Sequence, residues 1–224
     1  MICGGASSTT SGLYSGVISG QGNNATANYA IAGGVYSNAS GVSSIALGDA
    51  CTAAAMFGMA TGVQAQTGAV IGKSARGSAT ISGTAGTSQC GMLTIYGATT
   101  GATPKVLTST TTTAAATNQV ALINNQAMVV RGQVLCRQSV AQSDKAAGWE
   151  FTAVIRRGAN AASTALVAAA TVSLLGNDIT GIVAGSVAVT ADTTNGALAV
   201  TVTGVAATNL YWMATINSTE LVYA

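Results

Sequence analysis

Six carboxylates are the groups best suited to chemistry in this sequence: Asp49, Asp144, Glu150, Asp178, Asp192 and Glu220. A glycosidase needs two of them facing one cleft, one as acid and one as base or nucleophile. Asp178 and Asp192 are the pair that two loop ends would bring closest, but both also suit turns, where an Asp side chain bonds nearby backbone. There is no His at all, which removes Ser-His and Cys-His nucleophile arrangements. Cys3, Cys51, Cys90 and Cys136 have no CxxC or other ligand spacing, so no metal site is expected and all four are read as small, reduced, buried residues. No Gly-rich segment matches a phosphate loop, and no cofactor is expected. Arg131, Arg137, Arg156 and Arg157 concentrate positive charge on two expected strands. They suit either an anionic-glycan patch or solvated outer faces paired with Glu150. The chain is read as a non-enzyme.

The elements that must carry these groups are unusual. Charged residues make up 6% of the 224-residue chain, against about 25% in ordinary soluble domains. A net charge of +2 is too small for an electrostatic footprint on nucleic acid. A monomer with so little charge tends to associate, and a permanent oligomer would bury that surface. The uncharged run most like a membrane span, residues 158–177, is broken by Asn160, Ser163, Thr164, Thr171 and Ser173, as a true span would not be. The N-terminus lacks a basic region before an apolar core and does not read as a signal peptide. Three Asn-x-Ser/Thr triplets, at Asn24, Asn38 and Asn217, are what chance gives in a chain so rich in these residues.

The first half has a period. Val17-Ile18-Ser19-Gly20, Ile31-Ala32-Gly33-Gly34 and Ile45-Ala46-Leu47-Gly48 follow one another in steps of 14 residues. Ala55-Met56-Phe57-Gly58 comes only 10 after Gly48, which reads as a contraction of four, and Ala69-Val70-Ile71-Gly72 and Gly86 resume the 14. A short fixed period marks a solenoid whose coils must stack to bury a core. Fourteen residues hold two short strands and two turns, with alternate side chains inward. Val17, Ile31, Ile45, Phe57 and Ile71 are expected to line that core or an axis shared with two sister chains.

The pattern Ala39-x-Gly41-x-x-Ser44-x-Ala46-x-Gly48 resembles the head repeat of trimeric autotransporter adhesins, and is similar to repeats of bacteriophage tail fibre proteins. The resemblance covers residues 14 to 77. It implies a left-handed parallel β-roll packed as a homotrimer.

From about residue 87 longer alternating strands appear. Trp149, Phe151, Ala153 and Ile155 share one face, and Met128, Val130, Val134 and Cys136 share another. Leu210, Trp212, Ala214 and Ile216 form a third apolar face, and Asn195-Gly196 signals a hairpin. The segment from Ala159 to Leu175 has a helix-like Ala content but is read as strand. Eight or nine strands with short turns predict a sandwich or jelly roll. The runs "GWEFTAVIRRGANAASTALV" and "ATNLYWMATINSTELVY" resemble a C-terminal domain of phage tail fibre and virion structural proteins, over residues 87 to 224.

The expected fold is therefore all-β: a repeat roll over residues 1–86 and an antiparallel sandwich knob over 87–224, assembled as a homotrimer. The resemblances imply a virion fibre or spike made in the host cytoplasm and displayed on the particle. It would meet an adapter, baseplate or capsid protein through its N-terminal region, residues 1–16, and a host-surface glycan or protein through the knob. No membrane insertion is expected. Loop position alone nominates Ser143, Asp144, Lys145, Asn177, Asp178, Thr194, Asn195 and Asn209 as receptor contacts. The alternatives are a structural virion decoration or connector protein, a bacterial trimeric adhesin head, and a polysaccharide-degrading spike.

Overall fold

The computed structural model describes residues 4–81, 83–139 and 144–223. Among them the regular elements are strands, apart from two single-turn 3-10 helices at Ala161–Ser163 and Ala184–Ser186. No helix among the described residues is long and apolar enough to cross a membrane. The chain divides into two units, Met1–Met92 with Thr219–Ala224, and Leu93–Ser218.

The first unit is a parallel β-solenoid. Its strands are β1 (Thr9–Thr10), β2 (Gly16–Gln21), β3 (Asn24–Ala25), β4 (Ile31–Val35), β5 (Asn38–Ala39), β6 (Ile45–Asp49), β7 (Thr52–Ala53), β8 (Met59–Val63) and β9 (Ser74–Gly77). The longer strands stack as β2-β4-β6-β8-β9 and the short ones as β1-β3-β5-β7, each ladder parallel. Antiparallel β10 (Ser88–Thr99) pairs with β9 and ends the parallel run. Between the two ladders lies a core made almost wholly of alanine: Ala25, Ala32, Ala39, Ala46, Ala53 and Ala60, with Val17 and Cys51. Two backbones this close leave room for a methyl group and little more.

The period does not contract after Gly48. Gly48 pairs in register with Gly62, and Ile45 with Met59, so the coil is Met59-Ala60-Thr61-Gly62. Met56-Phe57-Gly58 is instead the turn before it, with Met56 and Phe57 exposed. The next step is one residue longer, Gly62 to Gly77. Val17 is fully enclosed, Ile31 lies on the outer edge of its strand, and Phe57 and Ile71 stand outside the Ile31–Ile45–Met59 row. The inner Gly column is enforced by contact: a Cβ on Gly34 would sit 2.0 Å from the Gly48 carbonyl oxygen. At the turns the chain enters the left-handed region without glycine, at Tyr14, Tyr29, Ser43 and Phe57. Each such residue costs about 1–2 kcal/mol, which hydrogen bonds such as Tyr29 N–H to Leu13 O (2.8 Å) offset.

The second unit is antiparallel. Its further strands are β11 (Pro104–Val106), β12 (Val120–Ala121), β13 (Gln126–Gln138), β14 (Ala146–Arg156), β15 (Ala165–Leu166), β16 (Thr171–Asn177), β17 (Val187–Asp192), β18 (Ala197–Thr203) and β19 (Leu210–Val222). One sheet runs β15-β14-β13-β19-β10, with β16 also on β14; the other runs β11-β18-β12, with β17 also on β18. Strict alternation on β13, β14 and β19 buries the residues that the sequence pattern put inside, and Trp149 and Trp212 meet at 5.7 Å between ring centres. Asn195 and Gly196 turn β17 into β18, with Gly196 at φ 66°. Residues 159–175 form a 3-10 turn, β15 and the start of β16, which agrees with the strand reading.

Candidate functional site

The outward faces of β13, β14 and β19 in the second unit carry a group of polar side chains on regular structure. Arg131 and Gln133 project from β13, directly opposite Thr152 and Glu150 on β14. Thr215 and Asn217 add the outer face of β19, and the six border a shallow hollow of about 460 Å³. The hollow exists because strand alternation sends Phe151 inward beneath Gly132, leaving every second position polar. Neither ion pair among the described residues involves Arg131 or Glu150. The lining offers guanidinium, amide and hydroxyl donors beside carboxylate and amide acceptors, the mixture that hydrogen-bonds a hydroxyl-rich ligand. It holds one carboxylate, Glu150.

Sequence reasoning had Arg131 as a candidate and Glu150 only as a pairing partner; it did not single out Gln133 or Thr152, and it missed Thr215 and Asn217. The signal was present, since both fall on the opposite parity from Trp212, Ala214 and Ile216.

The loop candidates are dispersed. Ser143 lies outside the described residues. Asp144 is exposed and pairs with Arg137. Lys145 accepts at its carbonyl from Gln138 N–H (2.9 Å). Asn177 works within its turn, donating to Ile182 O (2.9 Å) and accepting from Ile179 N–H (2.8 Å). Asp178 accepts from Ala146 N–H (2.7 Å). Asn209 accepts at its carbonyl from Ser139 N–H.

Thr194 and Asn195 both donate their backbone N–H to Asp192, and the Asn195 amide donates to the second Asp192 oxygen (2.7 Å). Partial burial pushes the Asp192 carboxyl up, but hydrogen bonds, those from Asn195 first among them, outweigh it and hold the group below its usual value.

Of the other arginines, Arg157 is inward-turned, its Nη1 donating to Leu122 O. No cluster of three or more His, Cys, Asp or Glu occurs among the described residues. Cys51 and Cys136 are buried free thiols. Cys90 is exposed, because it lies on the outer parity of β10, and it corrects the expectation that all the cysteines are buried.

No family model matches the chain, and no curated protein matches it. Among solved structures it is similar to the tailspike protein of Acinetobacter baumannii phage AM24, at 9% identity and a TM-score of 0.31, over 93% of this chain and 40% of that one. It is also similar to the tailspike protein of Acinetobacter phage vB_ApiP_P1, at 8% identity and a TM-score of 0.23, over 98% of this chain and 49% of that one. The chain spans less than half the length of either tailspike. At scores this low the likeness carries no part of the functional reading.

Proposed function

We propose that the chain is a structural protein of a bacteriophage fibre or spike, a homotrimer that attaches the particle to the host-cell surface. The observation that carries this reading is the outer row of the solenoid. Ile31, Ile45 and Met59 stand in register on consecutive coils, with Ile18 beside them, and Ile18, Ile31 and Met59 are exposed in the single chain. An apolar row that repeats with the coil fits a parallel, in-register partner, and three copies about one axis cover it in all of them. The repeat resemblance of residues 14–77 supports the same assembly and a left-handed roll.

In this reading the solenoid is a stiff spacer and the second unit is a sandwich-like knob. Its polar hollow around Arg131, Gln133 and Glu150 faces a surface glycan. Three weak sites on one trimer gain avidity by about 10²–10⁴ through effective concentration. Adsorption needs no bond making, and the knob is assigned no catalytic role.

Light scattering on the purified chain tests the assembly. A mass three times the 21.8 kDa chain is expected, and a monomer would overturn the trimer. Binding to an array of bacterial surface polysaccharides tests attachment. The double variant Arg131→Ala/Gln133→Ala is expected to lose binding while keeping the assembly. A trimer that binds no surface glycan or host cell would favour a decoration or connector role instead.

A further inference from the structure

Within the first unit, three side chains far apart in sequence meet in a buried cluster. Lys73 precedes β9, Gln89 lies on β10 and Glu220 on β19. Lys73 Nζ is 2.7 Å from Glu220 Oε2, and Gln89 Nε2 donates to the same oxygen at 2.8 Å. All three residues are buried, Glu220 almost completely. The Gln89 carboxamide is held from its far side by one backbone residue. Gln66 N–H donates to Gln89 Oε1 at 2.9 Å, and Gln66 O accepts from Gln89 Nε2 at 2.9 Å.

An ion pair alone would not require this arrangement. An amine, a carboxamide and a carboxylate that touches both are the parts of an acyl transfer from nitrogen to nitrogen. The 2.7 Å hydrogen bond between Nζ and Oε2 is a path along which a proton can pass. The amine and the fixed amide thus meet at one carboxylate oxygen. The Gln66 N–H donor on Oε1 is placed to stabilise the oxygen that gains charge when Cδ becomes tetrahedral. One carboxylate in contact with both the attacking and the departing nitrogen is positioned to move the proton between them.

We infer that Lys73 and Gln89 form an intramolecular isopeptide bond, with Glu220 as the proton carrier. The Nζ–Cδ bond forms and the Cδ–Nε2 bond breaks. Nζ gives up a proton, Nε2 gains one through Glu220, and ammonia leaves. No oxidant or cofactor is consumed. The product closes a covalent loop from Lys73, just before β9, to Gln89 on β10.

Intact-mass spectrometry on the folded full-length chain tests this. The expected result is a mass about 17 Da below the sequence value, one ammonia lost, with digestion giving a branched peptide that joins the Lys73 and Gln89 segments. Glu220→Gln is expected to restore the sequence mass. Should that variant fail to fold, Lys73→Arg keeps the cation and the ion pair and must also abolish the branched peptide. A wild-type chain at full sequence mass would overturn the inference. So would an ammonia loss mapped to any other residue, or a cross-link that persists in folded Glu220→Gln.

Discussion

Asn23 supplies Ser37 with a backbone partner: its Oδ1 accepts the Ser37 N–H at 2.9 Å, one coil away. Its Nδ2 donates to Gly34 O (2.7 Å) and to Ser19 O (3.0 Å). Ser37 repeats the arrangement one coil on, with Oγ donating to Gly48 O at 3.1 Å, and Cys51 repeats it again with Sγ toward Gly62 O. The three side chains are buried and form a polar ladder inside an alanine core. Asn23→Ala removes one end of three of these bonds. An orphaned buried group costs about 1–3 kcal/mol, so a clear fall in the urea midpoint is expected. Asn23→Asp keeps the acceptor and loses the donors. It should be at least as damaging, since it places a carboxylate against two carbonyl oxygens.

The Gly column makes a sharper contrast. Gly48 has φ 138°, and a Cβ there would lie 1.9 Å from Gly62 O. Gly72 has φ 77° with open space around it. Gly72→Ala should cost only the backbone strain, about 1–2 kcal/mol. Gly48→Ala should prevent adjacent coils from closing. Thermal melts of the two variants compare them, and equal losses would show that contact across coils does not set the column.

In the second unit, Trp212 Nε1 donates to Thr99 Oγ1 at 2.9 Å, with both residues buried. Thr99→Val keeps the shape and removes the acceptor, leaving the indole N–H unpaired at a cost of about 1–3 kcal/mol. Thr99→Ser should recover most of it. Denaturant unfolding followed by tryptophan emission reads the difference.

Burial pushes the Cys136 thiol from 9.0 up to about 12. Between those values the unfolded chain has lost a proton that the folded chain keeps, so stability falls as pH rises, by up to about 1.4 kcal/mol per pH unit. The effect is absent below pH 9. Cys136→Ala should flatten that part of the stability–pH curve relative to wild type, whatever its constant offset. Cys90, being exposed, should react with iodoacetamide in the folded protein while Cys51 and Cys136 do not.

What was legible in the sequence follows from the strength of the local signal. On β14, Trp149, Phe151 and Ile155 alternate with Glu150, Thr152 and Arg156, so strand and inner face could both be read. Asn195-Gly196 named its own turn. The solenoid was legible as a period, but its register was lost after Gly48. The core is alanine, which contrasts weakly with its surroundings. An alignment keyed on glycine therefore took Gly58, a turn residue, for Gly62. The hollow of Arg131, Gln133, Glu150, Thr215 and Asn217 was only half visible. Its members come from three strands, and which of them are opposed is fixed by sheet register, which no single segment encodes. The meeting of Lys73, Gln89 and Glu220 was not legible at all, because the three are brought together only when β19 returns to the first unit.

In-register pairing of Gly34, Gly48 and Gly62 also makes the solenoid a ruler with fixed graduations. Each coil adds one inter-strand spacing, about 4.8 Å. Residues 31–44 form one whole graduation, and removing them joins β2 to β6 with glycine still over glycine. The length of the solenoid is therefore adjustable by insertions and deletions of a whole coil, 14 or 15 residues. A change of any other length leaves a carbonyl where a Cβ has no room.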